Sequence, residues 1–292
     1  MHEFVQSALL PGLSEGAIYG LIAVAFAVLF TTTGVINFAH GQMVMLMPMA
    51  ILVGVGAGLP IWIAYLVALL LMVAIGLLQE WAAVRPFMQS GHSVSWILST
   101  LGISVVLAEL LAIPYDGESK NFAYGISSER VEIFGFATSL ANIATVAALI
   151  IVSIALTHFY RKTKVGLEIR AMADDVDGAE AIGISRARAS QTAMTLSILV
   201  ASITGILVAS TQLVTPSLGL TYTFYGFVAT AMGGMGSIPG ALAGGLVVGV
   251  VSQTAAVYFD GLFVNLVVFG LLLAVYVVRP HGLFGRAPVR EV

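Results

Sequence analysis

Long stretches without any charged side chain dominate the sequence. They hold 204 of the 292 residues, and charged residues make up 9% of the chain, against about 25% in soluble domains. A helix needs roughly 20 apolar residues to cross about 30 Å of hydrocarbon, so eight or nine crossings fit. A large soluble core is disfavoured because too few polar residues remain to cover it. The stretches are residues 16–79, 86–108, 133–160, 189–259 and 261–278.

The sequence therefore predicts an all-α, polytopic transmembrane helical bundle, forming one domain over residues 1–292. The 222–258 segment is too long for one ordinary span, and the glycine-rich run Gly233–Gly240 interrupts it. Such a discontinuous segment predicts either two short crossings, which we favour, or a re-entrant or broken helix in a protected environment. The predicted spans are 8–30, 37–58, 61–84, 93–112, 138–158, 190–210, 222–258 and 261–278.

Lysine and arginine are concentrated in the 159–189 loop, which holds six of the twelve. The positive-inside rule places this loop in the cytoplasm, together with the C-terminal tail that carries Arg279, Arg286 and Arg290. The 113–136 loop and the N-terminus then lie outside. A cytoplasmic tail requires an even number of crossings after residue 190, which agrees with two crossings in 222–258.

The sequence argues against several kinds of chemistry and binding partner. The absence of cysteine excludes disulfides and thiolate chemistry, and a net charge of -3 does not indicate a nucleic-acid partner. The five histidines offer no pair at metal-ligand spacing, and no metal or cofactor is expected. A Walker A motif and a catalytic constellation are also missing, so we expect neither ATP hydrolysis by this chain nor an enzyme.

Two kinds of motif interrupt the apolar runs. Gly12, Gly16 and Gly20 repeat every four residues, as do glycines in 240–249, and this spacing is typical of close helix packing in membranes. Asn37, His40 and Gln42 are polar residues in an apolar stretch, and on a helix the first two share a face. They indicate either a polar lining of a translocation path or an interhelical hydrogen-bond cluster.

The 159–189 loop contains signals for a short helix. Asp177 is a suitable N-cap, Glu180 stands three residues later, and Gly183 is a natural stop. This pattern predicts a helix at 178–182 that follows a longer one near 167–174. The apolar residues Met172, Ala179, Ile182 and Ile184 need a surface to pack on. Either a cytoplasmic protein partner or the helix bundle itself would supply that surface.

Five blocks in order along the chain resemble the branched-chain amino acid ABC transporter permease family, in particular its LivH-type half. They are Gly16–Ala23, Ile36–Gly41, the Ala/Glu-rich loop closed by Gly183-Ile184, Gly233–Gly240 and Arg279–Gly285. Together the blocks span nearly the whole sequence. Related permeases carry amino acids, urea or short amides.

The resemblance implies a permease subunit of an importer in a bacterial inner membrane. Its implied partners are a second homologous permease, two ABC ATPase subunits and a periplasmic solute-binding protein. The implied translocation-pathway residues are Asn37, His40, Gln42, Gly233, Gly234, Gly236 and Pro239. The implied ATPase-coupling residues are Arg170, Glu180, Ala181, Gly183 and Ile184. The alternative function is a self-contained secondary transporter or channel, although no carboxylate near the middle of a span supports ion coupling.

Overall fold

Helices form most of the structure, a computed structural model that describes residues 2–88, 95–133, 135–259 and 261–285. Two predictions lie partly outside these residues: the start of the 93–112 span, and Arg286 and Arg290 of the tail. The main helices are α1 (Leu10–Thr33), α2 (His40–Gly56), α3 (Ile61–Gln79), α4 (Ser95–Ala112), α5 (Leu140–Lys162), α6 (Lys164–Asp174), α7 (Val176–Ala181), α8 (Arg186–Thr211), α9 (Leu218–Gly233), α10 (Ile238–Tyr258) and α11 (Leu262–Val278).

Shorter turns extend several of these helices. A π-helical turn, Val5–Leu9, precedes α1, and a second one, Glu80–Val84, follows α3. Turns of 3-10 helix occupy Arg85–Phe87 and Ile113–Tyr115, and one α-helical turn covers His2–Phe4.

Hydroxyl side chains cap the helices at several boundaries between the spans. Ser139 accepts a hydrogen bond from the Asn142 amide (3.1 Å) at the start of α5. Thr163 and Ser237 cap α6 and α10 in the same way. Since these caps satisfy amides that a helix cannot pair internally, the sequence itself defines where these helices begin.

Helix α1 lies in the centre of the bundle, in contact with α5, α8, α9 and α10. Most of its side chains are buried, which requires small residues where a neighbouring backbone approaches. Gly16 and Gly20 meet Gly245 and Gly249 of α10, while Gly233 meets Gly240. The prediction that the glycines of α1 and of 240–249 serve close packing is confirmed.

The outer helices expose large apolar side chains, as expected for surfaces that face lipid. Examples are Leu70 of α3, Leu98 of α4, Ile154 of α5 and Leu266 of α11. Within the described residues, six helices are long and apolar enough to cross a membrane, and α2 and residues 263–278 form shorter apolar helices. The predicted all-α polytopic membrane fold is confirmed.

The 222–258 segment forms two helices, α9 and α10. Gly234 (φ 103°) and Gly236 (φ 81°) lie between them, in a backbone region that L side chains rarely adopt. Gly244 of α10 packs against Ala229 of α9, and Gly240 packs against Gly233. The contacts thus move backward along α9 as they move forward along α10, so the two helices form an antiparallel hairpin.

One small sheet was not predicted from the sequence. Strands β1 (Arg130–Ile133) and β2 (Phe136–Ser139) pair antiparallel, with Arg130 opposite Ser139. The sheet lies in the long connection between α4 and α5. Its four-residue strands are too short to produce a distinct alternating pattern in the sequence.

The bundle has two chemically different ends. At the basic end, Arg161, Arg170 and Arg186 line the same cavity as Thr31 and Gly236. At the opposite end, the connection after α4 contacts the end of α8: Lys120 pairs with Val214, and the Ile126 amide donates to Ser210. The predicted cytoplasmic and external loops therefore lie at different ends.

Candidate functional site

The polar residues Asn37, His40 and Gln42 lie inside the bundle and are buried. Gly34, with φ 69°, ends α1, and the chain then runs through non-helical residues 35–39. The Asn37 side chain accepts a hydrogen bond from the Ala39 amide (3.0 Å), and α2 begins at His40. The prediction that Asn37 and His40 share a helix face is wrong, because this turn keeps Asn37 outside the helix.

Contacts from three other helices hold this polar cluster. Gln79 of α3 donates to the Asn37 side-chain oxygen at 2.7 Å. His40 Nδ1 lies 3.3 Å from the Ser197 hydroxyl, near the middle of α8, and the His40 ring packs against Phe26 of α1. These contacts fix the polar groups relative to α1, α3 and α8.

Four buried atoms in the cluster have no hydrogen-bond partner among the described residues: Asn37 Nδ2, His40 Nε2, Gln42 Oε1 and Gln79 Oε1. Leaving a buried polar atom unpaired costs about 1–3 kcal/mol. Donors and acceptors are both present, so the cluster has the chemistry to bind water or a polar solute.

The glycine-rich break lies at the basic end and not beside this cluster. Gly236 and Pro239 line a cavity of about 810 Å³ together with the end of α1 and residues of α5 and α6. Asn37, His40 and Gln42 are not among its lining residues. The structure therefore does not bring together the two parts of the predicted pathway.

The C-terminal motif packs directly on this break. The Leu283 amide donates to the Met232 carbonyl (2.8 Å), and the Phe284 amide donates to the Gly233 carbonyl (2.9 Å). These bonds pair carbonyls at the end of α9 that the helix cannot satisfy internally. Sequence reasoning identified the two motifs separately, and no local signal could have revealed their contact.

The predicted coupling residues lie on the surface of the basic end. We call the exposed side of α6, α7 and residues 182–184 the α6–α7 surface. Arg170, Glu180, Ala181 and Gly183 are exposed there, and Ile184 is half-buried.

Helix α7 begins two residues earlier than Asp177 would place it. Asp175 is extended (φ −153°, ψ 108°), and its side chain accepts a hydrogen bond from the Gly178 amide at 3.1 Å. Asp177 lies in the first turn, so its prediction as the N-cap is wrong. Gly183, at φ 91°, ends the segment as predicted, and its amide donates to Glu180.

The apolar residues within 164–184 divide into two groups. Met172 and Ala179 are buried against the bundle, whereas the Ile182 side chain is 77% exposed. Sequence reasoning recognised Ile182 as apolar but did not select it as a coupling residue. The bundle therefore supplies the packing surface for Met172 and Ala179. Ile182 remains exposed, where a protein partner can contact it.

A buried carboxylate, paired with a partly exposed arginine, connects the end of α3 to the start of α8. The Glu80 carboxylate is fully buried, and Arg85 donates to both of its oxygens, at 3.2 and 2.8 Å. Ser190 of α8 donates a further hydrogen bond of 2.7 Å. These three bonds compensate for the desolvation of the carboxylate and fix the end of α3 against the start of α8.

Comparisons with known proteins agree on one family. The family model described as the permease component of branched-chain amino acid transport systems matches residues 8–276. The high-affinity branched-chain amino acid transport system permease protein BraD of Pseudomonas aeruginosa is 28% identical and covers 100% of this chain and 99% of its own length. The corresponding protein LivH of Salmonella typhimurium is 30% identical over 96% of each chain.

A solved structure shares the fold. The PsaBC complex from Streptococcus pneumoniae with a Fab contains a chain that matches with a TM-score of 0.52. The match covers 96% of this chain and 95% of that one, at 13% sequence identity. At this identity the likeness shows the fold alone, and the sequence relatives show the family. The chain therefore belongs to the family of permease components of branched-chain amino acid transport systems.

Proposed function

We propose that this permease is the membrane-spanning subunit of an ABC importer for branched-chain amino acids or a related small polar solute. The α6–α7 surface carries this proposal, because its exposed Ile182 and charged Glu180 and Arg170 offer a docking site for another subunit. The names of BraD and LivH support the class of solute.

The energy for transport comes from two ATPase subunits that dock at the basic end. A second homologous permease completes the membrane part, and a periplasmic solute-binding protein delivers the solute at the opposite end. The basic end then faces the cytoplasm of a bacterial cell, in agreement with the positive-inside rule.

Coupling follows from the contacts behind the α6–α7 surface. Helix α6 contacts α1, α5 and α8, and its Ile169 and Met172 side chains are buried there. A displacement of α7 by a docked ATPase therefore reaches the central helix through packed side chains. The bundle alternates between two arrangements that bind the ATPases differently.

The translocation path runs past the buried cluster of Asn37, His40 and Gln42. Their unpaired polar atoms supply hydrogen bonds to a polar solute when the helices rearrange. At the basic end, Gly236 and Pro239 line the release cavity, and Gly233 and Gly234 belong to the same break. Arg170, Glu180, Ala181, Gly183 and Ile184 belong to the coupling surface together with Ile182.

The test replaces the exposed apolar residue of the docking surface. Ile182→Asp is expected to abolish co-purification with the ATPase subunits and ATP-driven uptake of leucine in proteoliposomes. Val131→Asp is the matched control, because Val131 is also exposed but lies in the β1–β2 sheet. Leucine flux through the purified permease alone would instead support a self-contained transporter, and normal ATPase binding by Ile182→Asp would refute the docking assignment.

A further inference from the structure

A second cavity lies at the opposite end of the bundle, between α1, α9, α10 and the start of α11. Its volume is about 230 Å³, enough for roughly seven water molecules at about 30 Å³ each. Polar and aromatic side chains line it: Glu15, Tyr19, Gln212, Tyr222, Tyr225 and Ser252. These residues come from four separate segments of the chain, so no local sequence motif could have predicted the cavity.

A carboxylate without a cationic partner lies in this cavity. The Gln212 side-chain amide donates to Glu15 Oε1 at 2.5 Å. Among the described residues, the ion pairs are Arg85–Glu80 and Lys120–Glu118, and neither involves Glu15. A carboxylate held in a partly buried position by a neutral amide retains a strong attraction for a cation.

Tyrosine rings form the wall beside this carboxylate. Tyr19 stacks on Tyr225 with ring centroids 4.8 Å apart, and its centroid lies 6.2 Å from that of Tyr222. The Tyr222 hydroxyl is buried beside Gln212 and has no hydrogen bond of normal geometry to any described residue. Aromatic faces attract organic ammonium groups, and an unpaired hydroxyl oxygen accepts a hydrogen bond from them.

We propose that this cavity binds the ammonium group of the transported amino acid as it enters from the opposite end. Glu15 supplies the counter-charge, Tyr222 accepts a hydrogen bond, and the aromatic rings stabilise the cation. The position suits the first contact between the permease and the entering amino acid, since the cavity lies at the opposite end of the bundle from the α6–α7 surface. This inference rests on the proposed function as an amino acid importer.

The experiment uses the complete transporter in proteoliposomes. Radiolabelled L-leucine is supplied bound to the periplasmic solute-binding protein, the delivery protein, at a concentration that saturates the transporter. Glu15→Gln is expected to lower leucine uptake by about tenfold or more, because it removes a charged hydrogen-bond partner. Stimulation of ATP hydrolysis by the delivery protein should remain. Glu15→Asp should restore part of the uptake. Glu109→Gln, which removes an exposed carboxylate of α4, should change neither rate.

Competition with leucine analogues tests the same site in the wild-type protein. Isopentylamine has the ammonium group and side chain of leucine without the carboxylate, whereas isocaproate has the carboxylate without the ammonium group. Isopentylamine should slow leucine uptake by the wild type, and isocaproate at the same concentration should not. Tyr225→Leu should weaken inhibition by isopentylamine, which provides a second variant that keeps the carboxylate.

The outcomes separate this proposal from the proposed function. Normal leucine uptake by Glu15→Gln, or equal inhibition by both analogues, would overturn the ammonium site while the importer function stands. Loss of ATPase stimulation together with uptake in Glu15→Gln would also overturn it, since Glu15 would then serve docking of the delivery protein. A wild-type transporter that takes up no leucine would instead contradict the proposed function.

Discussion

A methyl group on Gly16 would lie 2.9 Å from the carbonyl oxygen of Gly245, so the backbones of α1 and α10 are in direct contact. Gly249 extends this contact one turn further, against the Gly16 backbone. The four-residue glycine spacing in both helices thus joins the central helix to the second helix of the α9–α10 hairpin. Without side chains in between, dispersion contacts and backbone proximity stabilise the pair.

Gly16→Ala is expected to destabilise the protein because the added methyl group has no space. Overpacking of a tight contact costs about 1–3 kcal/mol, which should lower the thermal unfolding midpoint of the detergent-purified protein. Gly270→Ala in α11 is the matched control, because a Cβ there meets no atom within 4 Å. Equal midpoints for the two variants would contradict the close approach of α1 and α10.

The sequence predicted the structure best where a single property of one segment, such as the absence of charge or a high glycine content, determines its conformation. The charge-free runs predicted the membrane helices, and the glycine-rich break predicted that 222–258 is interrupted. Sequence reasoning failed at one local turn and where distant segments meet. The Asn37 turn depends on the left-handed backbone at Gly34, and the contact between residues 283–284 and the end of α9 joins segments about 50 positions apart. Glu15 and Gln212 are 197 positions apart, so no periodicity could have paired them.

The cysteine-free sequence permits a direct test of orientation. Ile182→Cys and Tyr124→Cys each place one thiol on an exposed position, the first on the α6–α7 surface and the second in the connection after α4. In intact cells, an impermeant maleimide should label Tyr124→Cys and leave Ile182→Cys unlabelled. After the membrane is opened, both should react. The reverse pattern in intact cells would invert the proposed topology.

His40→Ala is expected to reduce transport by more than it reduces the amount of protein in the membrane. The substitution removes the Nδ1 contact with Ser197 and the unpaired Nε2 atom. Ser197→Ala is the control, because it removes the same contact and keeps the imidazole. Leucine uptake normalised to membrane protein should fall in His40→Ala and stay closer to wild type in Ser197→Ala. Intact transport in His40→Ala would mean that the cluster serves helix packing only.

Alanine variants of Gly183 and Gly58 distinguish an effect of backbone strain from an effect on coupling. Gly58 has nearly the same φ angle as Gly183 but lies at the opposite end of the bundle. Their φ angles are 91° and 87°, and a Cβ at either position has open space. Alanine at either site should therefore cost about 1–2 kcal/mol of backbone strain. Only Gly183→Ala should lower the uptake obtained per ATP hydrolysed.

Stronger changes at the same segment should uncouple the transporter while the chain stays in the membrane. Gly183→Pro cannot adopt a positive φ and loses the amide that donates to Glu180. Glu180→Lys reverses the charge of an exposed side chain on α7. Normal uptake in both variants would exclude the coupling role of this segment.

Asp175→Ala is expected to loosen α7, because Asp175 caps its first turn. Loss of an N-cap costs about 0.5–2 kcal/mol, a large fraction of the stability of a six-residue helix. Limited proteolysis of inverted membrane vesicles should cleave the α6–α7 surface faster in Asp175→Ala, and ATP-driven uptake should fall with it. Asp177→Ala removes a carboxylate of the same type, two residues later, without breaking the cap bond to Gly178. Faster cleavage in Asp177→Ala than in Asp175→Ala would assign the cap to Asp177 and return the helix start to the position favoured by the sequence pattern.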